Sequence, residues 1–195
     1  MTLILQTLDT HHPQAHILRQ KAAAIAVPLN SEQIEFAKAL QQKMIDDNGF
    51  GLAAPQVGYS WRVIAIQLPI EALRLRQNPL CAPLPPHVLI NPEYQPNETA
   101  GKNKDWEGCF SVPEQVAEVW RYTEIDYQAY TLEGEKIYGI ARGMHARVLQ
   151  HEIDHLDGIL LTDRTTFDCQ SMTRDEYIAM RQAQLARQNH VSPDS

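Results

Sequence analysis

The run His151-Glu152-Ile153-Asp154-His155 carries the strongest chemical signal in the chain. Residues i and i+4 of a helix share a face, so both imidazoles can reach one divalent metal ion. Glu152 follows the first histidine and can take a proton from a water activated at the same place. Leu149, Ile153 and Leu156 suit a core-facing side of that helix, and Gly158 is placed to end it. Two histidines on a solvated helix meet this spacing by chance in roughly one chain in a hundred or fewer. A metal site is the expected reading.

Two imidazoles leave a tetrahedral catalytic site one protein ligand short, the fourth position belonging to water. A metzincin would place its third histidine where this chain has Leu161. Glu176 lies at a distance suited to a zincin glutamate, but Thr173-Arg174-Asp175-Glu176 has the form of a helix capping box. Cys109 stands in Trp106-Glu107-Gly108-Cys109-Phe110-Ser111-Val112-Pro113, where glycine permits close backbone approach and proline fixes the chain. A thiolate with two imidazoles leaves an open site, which makes Cys109 the better candidate. Taken alone, though, a cysteine in a strand-like segment is commonly a small buried hydrophobe. A closed structural site in a non-catalytic binding protein would need a fourth ligand; His145 lies about 600° round the helix from His151, off the metal-facing side.

The glycine-rich Gly49–Gly58 segment lacks the G-K-[ST] ending of a phosphate loop and precedes a strand, so nucleotide binding is not expected. It reads either as a helix stop with a tight turn, or as backbone lying close to an extended substrate. In the second case Gln56 offers an amide to a developing oxyanion.

These residues need elements to hold them. Residues 30–47 have the spacing of an amphipathic helix, with Asn30 or Ser31 as cap, Ile34, Ala37, Leu40 and Met44 inward, and Asn48-Gly49 as stop. Residues 61–68 form a buried strand by their β-branched content. The proline-rich 69–86 reads as a long loop, 87–92 as a short strand and 95–105 as a polar, turn-rich stretch. Strands are expected at about 116–121, 123–130 and 135–140, then the metal-binding helix over 143–156. A last helix starts near Thr173, and the tail 190–195 is expected to be disordered. The fold class is α+β: one domain over 1–195, with mixed, mainly antiparallel sheets around the central helix.

Composition sets the outer limits. Of 195 residues, 44% are hydrophobic and 21% charged, ordinary for a globular protein, and no apolar run approaches the length of a membrane span. A net charge of -7 argues against phosphate-driven nucleic-acid binding. Cys81, Cys109 and Cys169 have no C-x-x-C spacing and do not form a disulfide framework. The opening residues resemble neither a secretory signal nor a transit peptide, so a cytoplasmic location is expected.

Taken together, three segments resemble the peptide deformylase family. Residues 49–56 (GFGLAAPQ) match its first motif, 107–111 (EGCFS) its second and 150–155 (QHEIDH) its third, in the family's order and spacing. The resemblance runs over roughly 10–165 and includes Arg62-Val63-Ile64, Leu89-Ile90-Asn91-Pro92, Val119 with Arg121, and Ala146-Arg147. It implies one divalent metal ion, generally Fe2+ with Zn2+ or Ni2+ able to replace it, bound by Cys109, His151 and His155. It further implies Glu152 as general base and acid, and Gln56 with the Phe110 backbone N–H as the oxyanion site. Gly51 and Leu52 would pair their backbone with substrate, Phe50 and Phe110 would border the methionine pocket, and Arg121 would touch the substrate. The implied reaction removes the formyl group from N-formyl-methionyl peptides by a monomer, in some members near the ribosomal exit tunnel. Trp106, Phe110 and the length of 69–86 depart from the family pattern, and the arginines of the last helix (Arg174, Arg181, Arg187) read as a solvated face.

Overall fold

The computed structural model describes residues 3–71, 73 and 82–189, without the side chains of 185 and 187–189. The expectations for 190–195, for residues 72 and 74–81 of the 69–86 loop, Cys81 among them, and for the Arg187 side chain lie outside the described residues. Among the described residues, the helices α1 (Ser31–Asp46), α2 (Gly143–Leu156) and α3 (Arg174–Asn189) accompany eight strands. These are β1 (Gly51–Ala53), β2 (Val63–Leu68), β3 (Leu84–Pro96), β4 (Lys102–Cys109), β5 (Val112–Tyr122), β6 (Glu124–Tyr130), β7 (Lys136–Arg142) and β8 (Ser171–Thr173).

One sheet has the order β1-β2-β3-β6-β7 and the other β4-β5-β8, and every ladder in both is antiparallel. Parallel pairing among the described residues is confined to an isolated bridge between Ala23 and Trp61. The fold is α+β, as expected, with α2 packed against both sheets.

Strand β2 shows why the larger sheet forms. Its six residues are all buried, and they alternate between two cores. Ile64, Ile66 and Leu68 face Leu149 and Leu156 of α2, while Val63 and Ala65 face Phe36, Ala37, Leu40 and Met44 of α1. This is the period-2 pattern of a strand covered on both faces. Helix α1 begins at Asn30, whose side chain accepts from the Gln33 N–H while Gln33 answers on the Asn30 N–H. Its buried row is Phe36, Leu40 and Met44, with Ile34 only half-buried. A spacing of four keeps that row on the sheet.

Helix α2 has two working faces. Ala146, Leu149 and Leu156 enter the larger core. Arg147, Gln150 and Asp154 are buried on the other side and bond outward. Gln150 exchanges two hydrogen bonds with the Tyr122 backbone of β5, at 2.9 and 3.0 Å. The helix ends at Gly158, whose φ of +74° needs glycine and whose missing side chain leaves room for the Arg19 carbonyl. Arg62 closes that end, donating to the Leu156 carbonyl and to Asp157.

Three expectations differ from the structure. The turn-rich 95–105 holds the end of β3 and much of β4, β3 starts at Leu84 instead of His87, and β8 is a further strand. Polar residues such as Asn103, Lys104 and Asp105 have poor strand preference, and their pairing is supplied by β5, as in Asp105 opposite Val119.

His145 and Tyr127 pack edge to face, and the His145 Nε2 is buried without a hydrogen-bond partner among the described residues. Burial, aided by the nearby His87, pushes its pKa down to about 4. A folded-state value below the unfolded one means the unfolded chain takes up protons first as pH falls through about 6.5, so stability drops toward pH 4. Between pH 7.5 and pH 5 the His145 contribution should fall by about 1–2 kcal/mol. Urea unfolding of wild type and His145→Phe at the two pH values checks this: the wild type should lose that much more than the variant.

Candidate metal centre and active site

Cys109 ends β4, and His151 and His155 sit one turn apart on α2. The Cys109 Sγ lies 3.3 Å from His155 Nε2, which lies 3.2 Å from His151 Nε2. All three ligand atoms fall within 4.8 Å of one another. Tetrahedral bonds of about 2.0–2.1 Å to nitrogen place two nitrogens roughly 3.3 Å apart, so the spacing fits one divalent ion. Burial would raise the Cys109 thiol, but the two imidazoles hold it well below its ordinary value, which favours the thiolate a metal needs. Glu176 is elsewhere: its carboxylate accepts from the Thr173 N–H and hydroxyl as the cap of α3. The metal group among the described residues therefore has three protein ligands, an open set.

The ligands are held from behind. His151 Nδ1 donates to Glu107 Oε2 at 2.8 Å, which leaves its Nε2 for the ion. Glu107 is buried with Arg121 on both oxygens, at 3.0 Å each, and Arg147 on Oε1 at 2.7 Å. Burial would raise the Glu107 carboxyl; the Arg121 charge and the His151 hydrogen bond hold it well below the ordinary carboxylate range. Arg121 also pairs with Asp154, which Arg164 binds from the other side. Glu107 and this network were not singled out from the sequence for a role, although the residue before Gly108-Cys109 lay in plain view.

Glu152 is 4% exposed, and its Oε2 has no hydrogen-bond partner among the described residues. Burial pushes its carboxyl up against the pull of His151 and His155, suiting it to exchange a proton. Gln56 is fixed by its own Oε1, which accepts from the Ala53 N–H at 2.9 Å. Its Nε2 therefore points toward Cys109 Sγ, 3.7 Å away, and toward Ser111 Oγ at 3.3 Å.

Gly49, Phe50, Gly51, Gln56, Gly108, Cys109, Phe110, His151 and Glu152 line one cleft of about 320 Å³. Strand β1 is the edge of its sheet. The Gln67 N–H donates to the Phe50 carbonyl, so the antiparallel alternation turns Leu52 toward Ala65 and leaves the backbone groups of Gly51 directed outward. A Cβ on Gly51 would overlap the Glu152 carboxylate. The structure thus brings together all the expected residues except two. Leu52 is fully buried with its backbone turned to β2, and Arg121 does not reach the cleft. Arg121 is 3% exposed because its guanidinium neutralises Glu107 and Asp154. The cleft has a wall not foreseen: Arg174, Tyr177 and Ile178 of α3, with Tyr177 packed 5.6 Å from Trp106.

Glu107→Gln keeps the shape of the side chain but removes the charge facing two arginines. It should lower affinity for a divalent ion about 10- to 100-fold, read by competition with a chelator. The same variant should lose about 3 kcal/mol of stability in urea unfolding, since it leaves buried cations unbalanced.

The comparisons with known proteins agree with this geometry. The family model described as polypeptide deformylase matches residues 5–171. Peptide deformylase 2 of Rickettsia conorii is 38% identical over 191 residues, covering 97% of this chain and 93% of its own. Peptide deformylase of Dictyoglomus thermophilum is 40% identical over 148 residues, covering 76% and 86%. The Met-Ala-Ser-bound crystal structure of class I type b peptide deformylase from Acinetobacter baumannii superposes with a TM-score of 0.71 at 32% identity, covering 85% of this chain and 100% of its own. Peptide deformylase from Thermotoga maritima gives 0.69 at 28%, covering 84% and 99%. With its sulfur- and imidazole-bearing centre set in this fold, the chain belongs to the polypeptide deformylase family, the hydrolases that remove the formyl group from the N-termini of new polypeptides.

Proposed function

We propose that the centre at Cys109, His151 and His155 holds a ferrous ion and deformylates N-formyl-methionyl peptides in the cytoplasm, with Glu152 as the proton carrier. The observation that carries this is the unpartnered, buried Glu152 Oε2 beside three ligand atoms of matching spacing. One sulfur and two nitrogens suit iron or zinc, and the family's usual ion supports iron. When bound, such an ion supplies a Lewis acid and lowers the pKa of water.

The chain's own residues supply the rest. Glu152 takes a proton from the attacking water and returns it to the leaving amine. The formyl C–N bond breaks, and formate and a free amino terminus result. The Gln56 amide and the Phe110 backbone N–H meet the charge that develops on the formyl oxygen. Gly51 pairs its outward backbone groups with an extended substrate, as in strand addition, and Phe50 and Phe110 border the methionine side chain. The Met-Ala-Ser bound to the Acinetobacter baumannii relative supports a peptide in this cleft. The chain acts as a monomer. Ribosome docking would use α3, whose first turn already walls the cleft.

Protein purified without oxygen should release formate from formyl-Met-Ala-Ser, and Cys109→Ala and Glu152→Ala should each abolish release. Release that survives Glu152→Ala would remove Glu152 from the chemistry. Gln56→Ala should lower kcat about a hundredfold, on the order of 3 kcal/mol, in the same assay.

A further inference from the structure

The first turn of α3 places a cation in the cleft that the chemistry above does not use. Arg174 lines the cleft, and its Nη2 lies 3.7 Å from where a Cβ on Gly108 would stand. Gly108 directly precedes the ligand Cys109, so the guanidinium lies one residue of chain from the metal centre. The other charges lining the cleft are engaged. Asp47 pairs with Lys43 at 2.9 Å, Arg147 with Glu107 at 2.7 Å, and His151 and Glu152 belong to the centre itself. Among the described residues, Arg174 pairs with no carboxylate. Of its acidic neighbours, Glu176 is turned back onto Thr173 as a cap. Arg174 is exposed and shares the cleft wall with Trp106, Tyr177 and Ile178, so its charge is open to a ligand entering the cleft.

We infer that Arg174 is a specificity residue that favours substrates with an acidic side chain one or two residues after the formyl-methionine. This rests on the deformylase reading. An extended chain rises about 3.3 Å per residue, so after leaving the centre its second and third residues pass Gly108 and come within reach of the guanidinium. The chain's net charge of -7 repels acidic peptides in general, and Arg174 reverses that locally.

The test compares kcat and KM for formyl-Met-Glu-Ser-amide and formyl-Met-Ala-Glu-amide with their lysine counterparts, in wild type, Arg174→Gln and Arg174→Glu. The amides remove the terminal carboxylate as a competing anion. Wild type should favour at least one glutamate peptide over its lysine partner by about two- to fivefold, carried in KM and shrinking with salt. Arg174→Gln should bring the ratio close to one, and Arg174→Glu should invert it. Turnover of all four peptides with the same ratio in wild type and both variants would overturn the inference and leave the deformylase reading standing. Turnover of none by wild type would overturn both.

Discussion

The buried carboxylate of Glu107 is the constraint on which the rest of the site depends. Its two oxygens are shared among Arg121, Arg147 and the His151 ring, so it joins β4, β5 and α2 at one point. A buried charge is stable only where it is fully neutralised and hydrogen-bonded. That requirement fixes how far β4 sits from α2. Cys109 follows Glu107 by two residues, so the thiolate is carried to the imidazoles by the same arrangement. Asp154 extends the pairing to Arg164 and ties the segment after α2 to the same cluster.

The second constraint is closeness. Gly51 carries no side chain, and the Glu152 carboxylate occupies the space one would take. The edge of the larger sheet and the Glu152 carboxylate are thus in direct contact. A peptide that paired with that edge would present its terminal amide to Glu152 without a separate positioning group, which is how proximity is turned into rate.

Much of this was legible in the sequence, and the failures have physical reasons. The histidine pair, the Asn30 cap, the Thr173–Glu176 cap and the Gly158 stop are local patterns whose geometry follows from a single helix. Cys109 needed the resemblance, because nothing within its own segment says what lies opposite. Arg121 was assigned to the substrate and belongs to Glu107 and Asp154, which lie 14 and 33 residues away in the chain. Ion pairs of that span leave no periodicity to read. Strand β4 was missed because its pairing with β5, not its residue preference, makes it a strand. The wall formed by α3 was read as a solvated face for a similar reason: Tyr177 meets Trp106 only once the sheets are in place.

That wall has a consequence for synthesis. The cleft draws on Gly51 and Gln56, then Cys109, then His151 and Glu152, and last on Arg174 and Tyr177. A ribosome makes these in order, and a chain emerging at roughly 5–20 residues per second gains the ligands well before the wall. Every shorter product lacks one side of the groove, and only synthesis through the start of α3 completes it. The cleft of a catalyst that acts early in the life of other polypeptides is thus closed only after its own metal ligands have been made.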